Sequence, residues 1–472
     1  MKKLIYLCFT VLLLSSLNGC SEKVQKQPAH VYDLVIGQTL PEVDNVSFTL
    51  CDIYFNTMVK PPDAFLYYEK DVCETGWEYL TLVFEKHALD DKDIGSFSDW
   101  LGIDVTVDGV AKEEMLNDED NNSRIQQQNS TIYCGVKVPV DSQDYLITLT
   151  YNNDIYNMEF QGKEEIPGRK IVNFNEPFQY HGAEFVLESA RLTDKVIKWD
   201  GPVQQKLTPR NTTLEHILAI NGSAANHGQE TMEITEHNLN GLSLSEKGFG
   251  YGLNGYPLNS TGSNHGLSVK PGEVERIVYG TAISKTTEVK DVDLILVDGV
   301  NYYHINKVQL VELIEQEKNT DILDKIKCQG YFHNYIYFNP AMELNYQYSD
   351  QWELYNLQQE DQAAGQYINQ EKLELLDQWE AVPLVYGERK DDSANSTIYI
   401  IPIAQFDTRT VRGILEQWRA QLYPESTQLN VEHLMSSEIY VIGDDFEYNG
   451  YAVGFIGLIF DKYIIIIEAQ TI

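Results

Sequence analysis

From about residue 31 to residue 307 the apolar positions fall in runs of four to eight. These runs are rich in Val, Ile, Tyr and Thr, and clusters of Gly, Asn, Asp and Pro separate them. That spacing predicts short β-strands joined by turns. From Asn306 to Lys327 the period changes. Val308, Val311, Leu313, Ile314, Ile322, Leu323 and Ile326 sit among Glu, Gln and Lys, which predicts a helix or a helix pair, with Asn319-Thr320-Asp321 as the break or cap. Further on, Val411, Leu415, Trp418 and Leu422 follow at intervals of 4, 3 and 4, an amphipathic helix closed by Pro424. The strand "STIYIIPIAQF" precedes it. The segment "SEIYVIGDDFEYNGYAVGFIGLIFDKYIIIIEAQ" follows, read as three or four antiparallel strands turning at Asn449-Gly450 and at Asp461-Lys462.

The strand-rich part repeats itself. "VSFTLCDIYF" (Val46–Phe55) has a counterpart in "AEFVLESARL" (Ala183–Leu192), and "EYLTLVFE" (Glu78–Glu85) has one in "EHILAING" (Glu215–Gly222). Both pairs are read at an offset of 137 residues, which aligns His216 with Tyr79 and makes it a strand-face residue. Each repeat ends in a strand, an Asn/Asp-rich turn and a return strand. These are "DYLITLTYNNDIYNMEF" (Asp144–Phe160) and "VDLILVDGVNYYHINK" (Val292–Lys307), the latter with Asp298-Gly299 as a hairpin signal.

The early "F-x-L" strand, the central "LEHILAI" strand, the "LSVKPGE" turn and the closing hairpin resemble telokin-like, immunoglobulin-type β-sandwich domains of Gram-positive extracellular lipoproteins. The first repeat has "DSQ" near Asp141 in place of the Pro-Gly-Glu turn. From "GYFHN" (Gly330) onward the alternation of strands and helices is similar to the PsbP-like α/β fold, with Tyr346, Tyr348 and Trp352 where such domains carry an aromatic pair. The resemblances imply a mixed multidomain chain: two immunoglobulin-like antiparallel β-sandwiches followed by an α+β domain with a central antiparallel sheet. The expected segments are a signal peptide (1–19), a lipidated tether (20–30), the sandwiches (31–165 and 166–307), a helical linker (308–328) and the PsbP-like α/β domain (329–472). Well-known PsbP-like proteins bind partner proteins, which is analogy at the level of fold.

The N-terminus carries an address. Lys2 and Lys3 precede an apolar run from Leu4 to Leu14, about half of the roughly 20 residues a spanning helix requires. Leu17-Asn18-Gly19-Cys20 resembles the lipobox of bacterial lipoproteins. That resemblance implies cleavage before Cys20, diacylglyceryl modification of its thiol and attachment to the cell membrane on the extracytoplasmic side. Two acyl chains suffice for stable anchoring. A plain secretory signal with an incidental Cys20 is the alternative.

Charge then narrows the partners. The chain has 35 Lys+Arg against 71 Asp+Glu, a formal net charge of −36, and loss of Lys2 and Lys3 with the signal makes it −38. Such a surface disfavours nucleic acid, anionic polymers and acidic lipid. It suits cationic ligands or divalent ions, although solvation of an anchored protein explains it as simply.

Candidate chemistry is sparse. Cys51, Cys73, Cys134 and Cys328 show no C-x-x-C spacing, so a zinc knuckle or a redox motif is not indicated. A Cys51–Cys73 disulfide is one reading in an exported protein, and buried free thiols are the other. The ten histidines form no H-E-x-x-H, and "HGAE" (His181–Glu184) lacks a second histidine within a helical turn. "GFGYGLNG" (Gly248–Gly255) reads as a loop, since no strand-to-helix context follows it. Two acidic loops offer calcium ligands, Asp91 and Asp93 in "DDKDIGSFSD", and Asp118 and Asp120 in "NDEDNNS". The second lacks the Gly and the bidentate Glu of an EF-hand, and solvated turns explain both. No catalytic residue is expected and calcium is the sole candidate cofactor. The 30 tyrosines suit either half-buried strands or exposed binding platforms. The expected function is non-enzymatic binding of a protein or peptide partner at the outer membrane face. A carbohydrate or wall-fragment binder is the alternative, and a hydrolase assembled across domains comes third.

Overall fold

The computed structural model describes residues 30–59, 73–88, 97–112, 115–117, 131–200, 203–235, 239, 241–245, 253–257, 259–260, 266–333, 335–339, 341–342, 344–358, 364–423, 430–436, 439–448 and 451–471. The chain divides into two compact units. One holds residues up to 194 with 208–257 and 264–311; the other holds 195–207, 258–263 and 312–472.

The first unit begins with a β-sandwich. Its strands are β1 (Val31–Asp33), β2 (Val46–Asn56), β3 (Trp77–Ala88), β4 (Leu101–Val107), β5 (Val110–Lys112), β6 (Met115–Asn117), β7 (Thr131–Pro139), β8 (Asp144–Tyr151) and β9 (Asp154–Gln161). Strand order is β1-β9-β8-β4-β5 in one sheet and β2-β3-β7-β6 in the other. Alternate residues of both sheets, among them Phe48, Leu82, Phe84, Ile147 and Leu149, fill one apolar core. Asn152 and Asn153 both take positive φ in the two-residue turn between β8 and β9, the geometry that Asn tolerates best.

The next strands are β10 (Lys170–Val172), β11 (Pro177–Tyr180), β12 (Ala183–Thr193), β13 (Val196–Asp200), β14 (Val203–Leu207), β15 (Glu215–Ala225), β16 (Met232–Thr235), β17 (Gly241–Ser245), β18 (Asn254–Pro257), β19 (Asn259–Ser260), β20 (Gly266–Val269), β21 (Val274–Ser284), β22 (Val292–Asp298) and β23 (Asn301–Ile305). The sheets β11-β12-β15-β21-β18 and β10-β23-β22-β17 make a second sandwich. Of "GFGYGLNG", residues 248–252 lie outside the described residues, while Asn254 and Gly255 open β18 and pair with β21.

Strand pairing makes the duplication concrete. In each sandwich the first strand lies parallel to the last, β1 to β9 and β10 to β23. The first long strand of each sandwich carries an irregularity at the same place, Leu50/Asp52 in β2 and Leu187/Ser189 in β12, positions 137 residues apart. One detail differs from the sequence alignment. Asp52 pairs with Val83 and Ser189 with Asn221, so β3 and β15 correspond at an offset of 138. His216 therefore matches Glu78, not Tyr79. A slip of one residue exchanges sheet faces, and two similarly apolar strands hide it in the sequence.

The two sandwiches are packed together within this unit. Cys51, Tyr54 and Val83 of the first form one apolar cluster with Leu244, Ile295 and Tyr302 of the second. Beneath it Asp52, 1% exposed, receives His304 Nε2 at 2.9 and 3.0 Å from its two oxygens. Arg169, in the connection between the sandwiches, donates to Ile53 O at 2.6 Å and Lys163 O at 2.7 Å. Burial lowers its pKa, against the pull of Asp52, Asp293 and Glu164. A half-buried arginine that ties the connecting segment to a β2 carbonyl fixes geometry more than it adds stability.

Two helices follow: α1 (Lys307–Asn319) and α2 (Ile322–Gln329). The Asp321 carboxylate accepts from Leu323 N and caps α2. The second unit continues with β24 (Tyr331–His333), β25 (Ile336–Asn339), β26 (Leu344–Gln347), β27 (Trp352–Asn356), α3 (Gln370–Gln378), β28 (Val382–Arg389), β29 (Ala394–Pro402), α4 (Val411–Leu422), β30 (Asn430–Ser436), β31 (Ile439–Tyr448), β32 (Tyr451–Phe460) and β33 (Tyr463–Thr471). Its seven-stranded sheet runs β27-β28-β29-β33-β32-β31-β30, antiparallel throughout. Both faces are covered. Tyr399, Ile401, Ile464, Ile466 and Phe455 pack with Leu376 of α3 and with Ile414, Leu415 and Trp418 of α4. On the other face Ile398, Ile400, Ile465 and Ile467 meet Ile326 of α2, Tyr337 of β25 and Tyr348. Among the described residues no helix is long and apolar enough to cross a membrane.

Candidate functional site: the polar end of the seven-stranded sheet

The helix-covered face of this sheet changes character along its strands. In β33 the residues on that face are Ile464, Ile466, Glu468 and Gln470, and in β29 they are Ile401, Tyr399, Thr397 and Asn395. Cross-strand register carries the change across four strands. One row runs Tyr355–Tyr386–Thr397–Glu468, and the next, outermost row runs Glu353–Glu388–Asn395–Gln470. Period-two alternation thus places apolar side chains beneath α3 and α4, and tyrosines, carboxylates and amides beyond them.

Tyrosines wall this strip. Tyr355 and Tyr386 are direct cross-strand partners, and Tyr367, from the chain before α3, stacks on both with ring centroids 4.3 and 5.3 Å away. Tyr355 Oη donates to Glu353 Oε2 at 3.0 Å. Burial, this hydrogen bond and the charges of Glu353 and Glu388 push Tyr355 up to about 12. The opposite side of the hairpin is sealed. A Cβ on Gly387 would lie 3.0 Å from the Tyr348 ring and 3.2 Å from that of Trp352, so the aromatic pair marked in the sequence belongs to the other face.

At the inner row sits a buried ion pair. Glu468 is 2% exposed, and its Oε1 accepts from Lys372 Nζ at 2.6 Å and Tyr423 Oη at 2.7 Å. Among the described residues its Oε2 has no hydrogen-bond partner. Burial opposes the charge on Lys372, but Glu468, Tyr399 and Tyr423 outweigh it and hold the pKa well above the usual lysine value. Its ammonium also lies 5.4 Å from the Tyr399 ring centroid. In the outer row, Glu353 and Glu388 face one another, and none of the ion pairs found among the described residues neutralises either. Like charges directly opposite each other destabilise a strand pair, so this end of the sheet carries an uncompensated repulsion among the described residues.

Other polar clusters are taken up by structure. His181, at positive φ in the β11–β12 turn, contacts Asp298 through Nδ1 at 3.0 Å, and its amide donates to Asp298 Oδ2 at 2.9 Å. Those contacts pin one hairpin onto another. Among the described residues no three His, Cys, Asp or Glu side chains gather as metal ligands would.

The residues singled out from the sequence are dispersed. Cys20, Asp91, Asp93, Asp118 and Asp120 lie outside the described residues. Cys51 and Cys73 are not joined: both are free thiols. Cys73 N donates to Thr57 O at 2.9 Å, which places it beyond the end of β2, whereas Cys51 lies six residues back along that strand. Six extended residues span about 20 Å, well past the roughly 7 Å limit between Cα atoms of a disulfide. Burial pushes the Cys51 thiol up to about 12, with Glu85 adding to the shift. Sequence reading passed over Glu353, Glu388, Lys372 and Glu468. The trace they left is the "E-A-Q" that ends "YIIIIEAQ", where a strand's apolar face turns polar.

No protein-family model matches the chain, and no curated protein matches it in sequence. A solved structure, an uncharacterized beta-sandwich protein from Clostridium difficile 630, is similar over 30% of this chain and 97% of its own, at 12% identity with a TM-score of 0.22.

Proposed function

We propose that the chain is a membrane-anchored extracytoplasmic lipoprotein that binds a protein or peptide partner and carries out no chemistry of its own. The observation behind this reading is the division of labour among its polar groups. Asp52–His304, His181–Asp298 and Arg169 fix the sandwiches, while the strip from Glu353 to Gln470 starts on β27, the strand that ends the sheet order among the described residues. Sites of this kind, with aromatic anchors beside unpaired charge, suit recognition. We also read the sandwiches as immunoglobulin-like and the second unit as PsbP-like α+β. Repeated closure of each sandwich by its own last strand supports the former, and a central antiparallel sheet carrying helices supports the latter.

A carbohydrate or wall-fragment ligand is the second reading. It is favoured by the Tyr355/Tyr367/Tyr386 stack beside the Asn395 and Gln470 amides.

The test has two arms. Metabolic labelling with an alkyne fatty acid should tag the full chain, and Cys20→Ser should abolish the tag; an untagged native chain would remove the anchor. Cross-linking on intact cells should then give a discrete heteromeric species. Recovery of uncross-linked chain alone would refute the adaptor role.

A further inference from the structure

We propose that the polar end of the seven-stranded sheet recognises an extended cationic peptide, which pairs with edge strand β27 and sets an arginine or lysine side chain between Glu353, Glu388 and the tyrosine wall. This rests on the partner-binding reading above and names the chemistry of the partner.

Three features of the strip point the same way. Glu353 and Glu388 are direct cross-strand partners on one face, Glu353 is exposed, and no cation among the described residues pairs with either. A guanidinium placed between them would turn repulsion into two charge-assisted hydrogen bonds. Second, Tyr355 and Tyr386 flank that position on the same strands, two residues inward, where a cation can lie against a ring. Third, β27 terminates the sheet order, so its outer edge is where an added strand would pair. A strand added there alternates its side chains as β27 does, so every second residue falls on the tyrosine face. The acidic charge of the whole chain would speed encounter with such a partner, in a way that salt screens.

Neutral sugars fit less well. They gain nothing from a facing carboxylate pair that no cation among the described residues compensates.

The experiment uses the full chain in detergent micelles and fluorescence anisotropy. The probes are a labelled heptapeptide of alternating valine and arginine, the same peptide with glutamine for arginine, the same peptide with glutamate for arginine, and a labelled N-acetylglucosamine tetramer. The arginine peptide should bind at least tenfold more tightly than the glutamine peptide. Raising NaCl from 0.05 to 0.5 M should weaken it several-fold, and Glu353→Gln/Glu388→Gln should weaken it at least tenfold. That double variant should melt no lower than the parent, since it removes a repulsion. If the three peptides bind equally, the cationic assignment is wrong while the peptide-binding reading stands. If only the sugar binds, or nothing does, both fall. Tight arginine-peptide binding that survives the double variant also overturns the assignment of the site.

Discussion

Replacing Lys372 by methionine isolates the energetics of the inner row. The substitution keeps the length of the side chain and its packing over Tyr399 but removes the only described cation on Glu468, which is 2% exposed. Tyr423 would remain as a donor to Oε1, which is insufficient for a buried carboxylate whose Oε2 already lacks a partner. Breaking one side of a buried pair typically costs about 3–5 kcal/mol, whereas replacing both sides by well-packed apolar groups is often neutral or stabilising. We therefore predict that Lys372→Met lowers the stability of the second unit by about 3–5 kcal/mol, which corresponds to roughly 6–20 °C in Tm for a unit of this size. Lys372→Met/Glu468→Leu should recover most of that loss. The assay is guanidinium unfolding followed by tryptophan fluorescence. Trp379 and Trp418 lie 5.6 Å apart in the same core, and Trp418 lies 5.5 Å from Tyr399. A single variant within about 1 kcal/mol of the parent, or a double variant as weak as the single, would refute the view that an uncompensated charge is the source of the cost.

Further predictions concern the first unit. Burial, aided by Glu273 and opposed by Lys270, raises Glu275 from 4.5 to about 7. Its folded form binds the proton more tightly, so stability rises as pH falls from about 7 to 4.5. Glu275→Gln should stabilise at pH 8 by about 1–2 kcal/mol, after discounting for partial exposure, and by nothing at pH 4; a pH-independent difference would contradict this. Asp52→Ala strands His304 at the junction and should cost about 2–3 kcal/mol in the first-unit transition alone, read by hydrogen exchange of β2 and β23. Gly222→Ala puts a Cβ 2.4 Å from Val186 O at the β12 irregularity, so the variant should lose at least about 2 kcal/mol and show it as a lowered Tm.

Much of this architecture was legible from periodicity. The two-residue alternation of Asp144–Tyr151, the turn at Asp298-Gly299 and the 4-3-4 spacing in α4 are local signals, and each became the element it predicted. The duplication was legible because β2 and β12 keep their irregularity in place. Its register on β3 and β15 was not, since sliding one apolar strand by a residue barely alters its pattern. The α3 helix was overlooked because Leu373, Leu375 and Leu376 sit among Glu, Asp and Gln, with a weak apolar stripe. The candidate strip was hidden for a different reason. Glu353, Glu388 and Gln470 become neighbours only once three strand registers are known, and composition offers no hint of them. The Cys51–Cys73 expectation failed because nearness in sequence says little about separation along an extended strand.

The parallel pairing of β1 with β9 has a mechanical consequence. The chain enters the first sandwich through β1 and leaves it through β9 toward the second, so a force applied between the start of β1 and the end of β9 would pull these strands in opposite directions along their lengths. The bonds Ile155 N to His30 O and Leu34 N to Asn157 O then resist together instead of opening one after another. The same geometry recurs where β10 meets β23. Each sandwich is thereby clamped in shear, the arrangement in which a short strand gives the highest resistance to forced unfolding, and resistance of that kind is set by the unfolding rate and not by equilibrium stability.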